Sequence, residues 1–107
     1  MNTEPLTESY YFILLCLYKK PHHGYGIMQD TLDLTNGRVK IGSGTMYGAI
    51  SNMLKKKWIV ETYSENSEDN RKRLYQITGN GRLILEQELD RLKDLINCSE
   101  KMMNGGM

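Results

Sequence analysis

The sequence predicts a mainly α-helical protein with one small β-hairpin. Apolar residues recur with helical spacing in four segments, whereas two short segments are rich in β-branched and aromatic residues. These segments follow in the order helix, helix, helix, strand, strand, helix. A length of 107 residues suits one compact unit, because chains divide into domains only when a single core can no longer grow. We therefore expect three helices, a hairpin and a long final helix.

The composition is that of a folded protein and excludes several classes. Hydrophobic residues make up 39% of the chain and charged residues 25%, which argues against disorder. The longest apolar run, residues 10–18, is far shorter than the roughly 20 residues of a membrane-spanning helix. The polar opening residues do not resemble a signal peptide, so we expect a cytoplasmic protein that does not bind membranes. Cys16 and Cys98 lack the spacing of a disulfide framework or metal site, and free thiols are expected.

The first two helices are predicted from their caps and their apolar spacing. Thr7 precedes a strongly apolar run as an N-cap candidate, and helix 1 is expected to extend to about Lys20, where Pro21 ends it. Helix 2 is predicted over residues 24–35, with Asn36-Gly37 as its stop. Because helix 1 has almost no polar face, it must be covered on more than one side.

A third helix is predicted after residues 38–41, which form a short strand or an extended connector. Ser43 or Thr45 is expected to cap this helix. Its two faces differ in chemistry. The apolar stripe consists of Met46, Ile50, Met53 and Leu54, and the polar side consists of Thr45, Gly48, Asn52, Lys55 and Lys56.

The remaining elements are two strands and a long helix. Residues 58–63 and 74–78 read as strands joined by a long polar hairpin loop. Thr78 can cap a final helix over residues 79–103, and residues 104–107 are expected to form a disordered tail.

Positive charge is concentrated in one part of a nearly neutral chain. The formal net charge is +1, yet residues 34–60 contain no acidic residue. Five cations lie in that stretch: Arg38, Lys40, Lys55, Lys56 and Lys57. One cationic face on a neutral protein is compatible with local binding of a polyanion.

Four separated motifs resemble those of the PadR family of bacterial transcriptional regulators. They are His23-Gly24-Tyr25-Gly26-Ile27, Gly44-Thr45-Met46-Tyr47, Trp58-Ile59 and the run from Arg71 to Gly81. The resemblance implies a winged helix-turn-helix domain over residues 1–78 and a dimerisation helix over 79–103. It also implies a homodimeric repressor that binds double-stranded DNA, and it leaves room for a small apolar or aromatic effector. Lys57 departs from the family, which usually has a glycine at the end of helix 3; a left-handed backbone there costs a side chain roughly 1 kcal/mol.

Helix 3 and the hairpin base supply the predicted DNA contacts. An α-helix fits the major groove, a helix N-terminus favours phosphate, and lysine or arginine neutralises the backbone. The predicted residues are Lys40, Ser43, Thr45, Tyr47, Asn52, Lys55, Lys56, Arg71, Lys72 and Arg73. Tyr47 could instead be a packing residue, the polar residues of helix 3 could be plain solvated surface, and the basic run 71–73 could balance nearby acids.

Dimerisation is predicted from apolar residues on the last and first helices. The last helix carries a seam with heptad spacing, and part of helix 1 is expected to join the same interface. The predicted interface residues are Tyr10, Tyr11, Phe12, Leu85, Leu89, Leu92, Ile96 and Met103. The alternative is a monomer whose last helix folds back on the domain.

Catalytic and metal-binding patterns are not expected. The adjacent His22 and His23 lack the spacing of a zinc site, and Gly24-Tyr25-Gly26 lacks the third glycine of a dinucleotide loop. No set of nucleophile, base and orienting group is recognisable, so we expect neither an enzyme nor a cofactor. The competing hypothesis is a winged-helix module that binds another protein and not DNA.

Overall fold

The computed structural model, which describes residues 4–63 and 73–105, contains four helices and one two-stranded antiparallel sheet in that part of the chain. In order, the elements are α1 (Glu8–Cys16), α2 (Gly24–Leu34), α3 (Ser43–Lys55), β1 (Ile59–Tyr63), β2 (Arg73–Ile77) and α4 (Gly79–Met103). The predicted fold class is confirmed. The predicted loop between the strands lies outside the described residues, and so do residues 106 and 107 of the predicted tail.

The first three helices, the hairpin and the start of α4 meet in one hydrophobic core. Its most deeply buried apolar side chains are Ile13, Leu14, Leu17, Ile27, Met46, Met53 and Ile59. The apolar stripe predicted for α3 is buried, except that Leu54 is only half-buried and Ala49 completes the stripe. Packing of this amphipathic face against the other helices fixes which side of α3 is turned outward.

The hairpin is tied to the chain that links α1 and α2. The strands pair from Ile59 with Ile77 to Tyr63 with Arg73. His22 forms an isolated antiparallel bridge with Tyr75 of β2. The His22 N–H donates to the Tyr75 carbonyl at 3.1 Å, and the His22 carbonyl accepts from the Tyr75 N–H at 2.8 Å. The hairpin is therefore anchored beside the N-terminus of α2.

Helix α1 is shorter than the sequence suggests. The Thr7 hydroxyl accepts from the Tyr10 N–H at 3.2 Å, as predicted for the cap, but the helix ends at Cys16 and not near Lys20. The expectation that Pro21 ends the helix was therefore wrong. Because His22 must be extended to pair with β2, the chain leaves the helix several residues before the proline.

Helix α3 ends in a left-handed residue that carries a side chain. Lys57 has φ = 61°. The Trp58 N–H donates to the Met53 carbonyl at 3.0 Å and the Lys57 N–H donates to the Leu54 carbonyl at 3.1 Å, which is the hydrogen-bond pattern of a Schellman motif. The backbone geometry expected for this position is thus kept, although the residue is not glycine.

Replacing Lys57 by glycine should raise the free energy of unfolding by about 1 kcal/mol, because glycine adopts positive φ without steric cost. Chemical denaturation measures the change. The matched control is Lys56→Gly, which makes the same chemical change at φ = −80° and should lower stability. Equal effects of the two substitutions would contradict strain at Lys57.

A buried carboxylate fastens the N-terminal segment to α4. Glu88 is 3% exposed. It accepts from Nε and Nη2 of Arg91 at 2.7 Å each and from the Leu6 N–H at 3.1 Å. The hydrogen bonds from Arg91 hold the pKa of Glu88 below its ordinary value, with a smaller contribution from the Leu6 N–H, against the opposing effect of burial.

Replacing Glu88 by glutamine should lower the free energy of unfolding at pH 7 by about 1–3 kcal/mol, because Arg91 loses its charged partner. A lowered pKa means that the stabilisation is complete above the unfolded value of about 4.3 and is lost as pH falls through the folded value. Acid unfolding should therefore be less steep in the variant than in the wild type. The exposed Asp90→Asn is the control, and an equal change in it would contradict the role of Glu88.

Candidate nucleic-acid interface

The outward side of α3 is a smooth polar strip. Gly44, Gly48, Ser51 and Lys55 follow at helical spacing and are all exposed. A Cβ atom added at Gly44 or Gly48 would meet nothing within 4 Å. Glycine inside a helix costs roughly 0.5–1 kcal/mol relative to alanine, and here no internal packing requires it. The two glycines instead leave the helix open to close approach by another molecule.

The hydroxyl groups in the first turn of α3 do not cap the helix. The N-cap is Gly42, with no side-chain hydrogen bond, so the prediction that Ser43 or Thr45 caps the helix was wrong. The helix begins one residue earlier than a Ser43 cap requires, because Gly42 already has the extended backbone of an N-cap. Ser43 and Thr45 are exposed inside the first turn, where backbone N–H groups lack helical acceptors.

Tyr47 stands where α2, α3 and β2 converge. The side chain is exposed, but its hydroxyl lies against Gly24, where an added Cβ would come within 2.7 Å of the oxygen. Tyr47 also borders a cavity of about 380 Å³ together with His23 and Arg73. The motif glycine at position 24 therefore makes room for Tyr47, which combines packing with a polar group at the surface.

The cations predicted to contact DNA differ in the groups that surround them. Lys40 and Lys55 are exposed, on the α2–α3 connector and at the end of α3 respectively. The Lys56 ammonium lies 5.2 Å from the centre of the Trp58 ring. The Arg73 guanidinium is 3.6 Å from a carboxylate oxygen of Glu61, so part of its charge is compensated. Two further predicted cations, Arg71 and Lys72, lie outside the described residues.

Asn52 is turned away from the smooth strip. It is half-buried, and its Nδ2 donates to the Tyr10 hydroxyl of α1 at 2.9 Å. Base reading by Asn52 stays a prediction; in the structure one of its two Nδ2 protons is donated to Tyr10. Ser51 was not among the predicted contacts, but it is exposed on the strip whereas Asn52 is not. Its spacing, four residues after Tyr47 and four before Lys55, could have indicated it from the sequence.

Two other motif glycines permit close contacts that position the site. A Cβ atom on Gly26 would collide with the His22 ring, whose Nε2 lies 3.0 Å from a carboxylate oxygen of Asp30. A Cβ atom on Gly81 would collide with the Trp58 carbonyl, which also accepts from the Thr78 hydroxyl at 2.9 Å. These glycines hold α2 and α4 against the hairpin and the end of α3.

The predicted dimer residues fall into two groups. Leu85 is 4% exposed in the core of the single chain and offers little surface to a partner. The second group is more accessible: Tyr10, Tyr11, Phe12 and Leu92 are half-buried, with Tyr10 edge-on against Trp58, and Leu89, Ile96 and Met103 are exposed.

The distal half of α4 extends away from the rest of the chain. All residues from 93 to 105 are exposed, and the longest dimension of the molecule is 60 Å against 32 and 24 Å. Ile96 is 55% and Met103 82% exposed. Leu95 and Met102 are exposed as well and widen the predicted seam. The helix thus carries an apolar stripe that nothing in the described chain covers.

None of the helices described is long and apolar enough to cross a membrane. Among residues 4–63 and 73–105, no three histidine, cysteine, aspartate or glutamate side chains are grouped so that they could hold a metal ion.

The chain is similar to known regulators over most of its length. The model of the transcriptional regulator PadR-like family matches residues 13–87. An uncharacterized protein X of Lysinibacillus sphaericus is 28% identical over 93 residues, which span 87% of this chain and 85% of that protein.

Solved structures of regulators share the fold. A PadR family transcription regulator from Clostridium difficile R20291 is 27% identical, with a TM-score of 0.73 over 92% of this chain and 100% of the other. The transcriptional regulator Cth-833 of Clostridium thermocellum is 24% identical, with a TM-score of 0.73 over 89% of this chain and 88% of the other. The family model covers most of the chain, and the solved regulators have the same winged-helix DNA-binding fold. The protein therefore belongs to the PadR-like family of transcriptional regulators.

Proposed function

We propose that this regulator binds double-stranded DNA in a sequence-specific manner as a homodimer and represses transcription from an inverted-repeat operator. The observation that carries the proposal is the smooth strip of α3. Gly44 and Gly48 have open space around them, although each weakens the helix relative to alanine. A helix that lies in the major groove gains from such glycines, because its backbone can come closer to the base edges.

Groups around the strip suit the phosphate backbone. The first turn of α3 presents backbone N–H groups and the exposed hydroxyls of Ser43 and Thr45. Tyr47 adds a hydroxyl on the side of α2, and Lys40 and Lys55 are exposed on the connector and at the far end of α3. In this arrangement Ser51 faces the groove floor, and the cations neutralise the flanking phosphates.

The homodimer follows from the uncovered stripe on α4. Burial of Leu92, Ile96 and Met103 against a second copy removes apolar surface from water, worth roughly 1.5–3 kcal/mol for each side chain that becomes fully buried. A two-fold axis through this contact presents two α3 helices to one side of the dimer. Half-sites about one helical turn apart are the expected operator geometry.

We propose further that the bound dimer represses transcription and that an effector relieves this repression. A dimer bound at a promoter in the bacterial cytoplasm blocks access of the polymerase, and a small apolar or aromatic effector would relieve the block by favouring a different spacing of the two α3 helices.

Selection from a pool of random DNA duplexes tests the proposed function. We expect enrichment of inverted repeats, because both halves of a symmetric dimer read the same sequence. The control is a Gly44→Leu/Gly48→Leu variant, whose uncharged side chains fill the strip that would approach the base edges without touching the core. Failure to enrich any sequence, together with capture of a protein partner, would favour the protein-binding module instead.

A further inference from the structure

A second candidate binding region lies between α1, α3 and α4, away from the smooth strip. It is an open cleft of about 560 Å³, bordered among others by Tyr10, Asn52, Lys56, Trp58 and Glu88. We refer to it as the Trp58 cleft. Its volume is in the range of small-molecule sites, about 300–1,000 Å³. Its walls come from the N-terminal segment 4–7, α1, the end of α3 and α4.

The walls of the Trp58 cleft are fixed without any ligand. The rings of Tyr10 and Trp58 meet edge to face, with centroids 6.4 Å apart and planes at 82°. The Tyr10 hydroxyl is held by Asn52 at 2.9 Å. Glu88 is held by Arg91 and by the Leu6 N–H. A ligand therefore need not order these side chains, which lowers the cost of binding.

The Trp58 cleft already holds one cation. The Lys56 ammonium sits over the Trp58 ring at 5.2 Å, within the range of a cation–π interaction. Lys56 is exposed and carries its charge on a flexible stem, so this contact can be exchanged. Glu4 also borders the cleft and favours a positive occupant over a negative one, whereas the charge of Glu88 is compensated by Arg91.

We propose that the Trp58 cleft binds a small organic cation, an ammonium group on an apolar or aromatic body. The cationic group of the ligand replaces the Lys56 ammonium over Trp58. The apolar body packs between Tyr10 and Ile84, which also borders the cleft. Because Asn52 and Lys56 belong to the end of α3, the occupant touches the helix that we propose reads DNA; only this consequence rests on the proposed function.

The test uses the fluorescence of Trp58, the single tryptophan of the chain, in the absence of DNA. Benzyltrimethylammonium is titrated into the full-length protein at constant ionic strength, with benzyl alcohol and benzoate as neutral and anionic comparisons. We expect a saturable change in emission with the cation alone. In Lys56→Ala the cation should bind about five- to tenfold more tightly, because its competitor for the ring is gone.

The matched control is Lys55→Ala, which removes the same charge one residue away from the Trp58 cleft. Its affinity for the cation should stay within about twofold of the wild type. The proposal is overturned if neither the wild type nor Lys56→Ala gives a saturable response, if benzyl alcohol binds as well as the cation, or if Lys55→Ala tightens binding as much as Lys56→Ala. None of these outcomes depends on whether the protein binds DNA.

Discussion

The double variant Lys55→Glu/Lys56→Glu should lose binding to duplex DNA at 150 mM salt while it keeps its fold. Both side chains are exposed at the end of α3, so their replacement leaves the core unchanged. In a dimer the change removes four cations at the ends of the two α3 helices and introduces four anions. We expect a decrease in affinity of more than about 100-fold, because each lost phosphate contact removes its share of counterion release and each new carboxylate repels the duplex.

The control for this variant is Lys93→Glu/Lys101→Glu, with the same change in charge on the exposed side of α4. The affinity of this control variant for duplex DNA should decrease only by the small amount that the change in net charge causes. Thermal unfolding shows whether each variant is folded. If the α3 variant is folded and still binds at 150 mM salt, α3 is not the helix that reads DNA.

A second large effect is expected when charge is placed in the apolar stripe of α4. Leu92→Glu/Ile96→Glu should convert a dimer of about 25 kDa, twice 12.4 kDa, into a monomer. Two apolar contacts per subunit are lost, and buried carboxylates without partners face each other, so dimerisation should weaken by more than about 1,000-fold. Sedimentation equilibrium at micromolar concentration measures the mass.

Asn97→Glu is the control for the dimer, because Asn97 is exposed and lies about 100° around the helix axis from Ile96, off the apolar stripe. This variant should remain dimeric. A wild-type chain that sediments at 12.4 kDa would contradict the proposed interface, and so would a dimer that tolerates both glutamates.

Local patterns predicted the elements of the fold well. Residues close in sequence determine the Thr7 and Thr78 caps, the inner stripe of α3 and the two strands. The structure confirms these predictions. The left-handed backbone that the family's glycine implies at this position is also present, at Lys57. The end of α1 was not predictable in this way, because it depends on the pairing of His22 with Tyr75, more than 50 residues further along.

The candidate site was less predictable for the same physical reason. Asn52 reads as a polar residue of an outward face, but a hydroxyl on α1, 42 residues earlier, draws it inward. Leu85 has the spacing of a seam, yet its turn of α4 is the one that packs against the winged domain. Helical periodicity shows which residues share a face, whereas the partner of that face is set by tertiary contacts.

The most direct test of the central claim is the salt dependence of affinity for a selected duplex, measured by fluorescence anisotropy. If two α3 helices and their flanking lysines make about six to eight phosphate contacts, log K should fall with log salt with a slope of about −5 to −7. A slope near zero, or no binding to any duplex even at low salt, would contradict a cationic pair of helices that binds DNA.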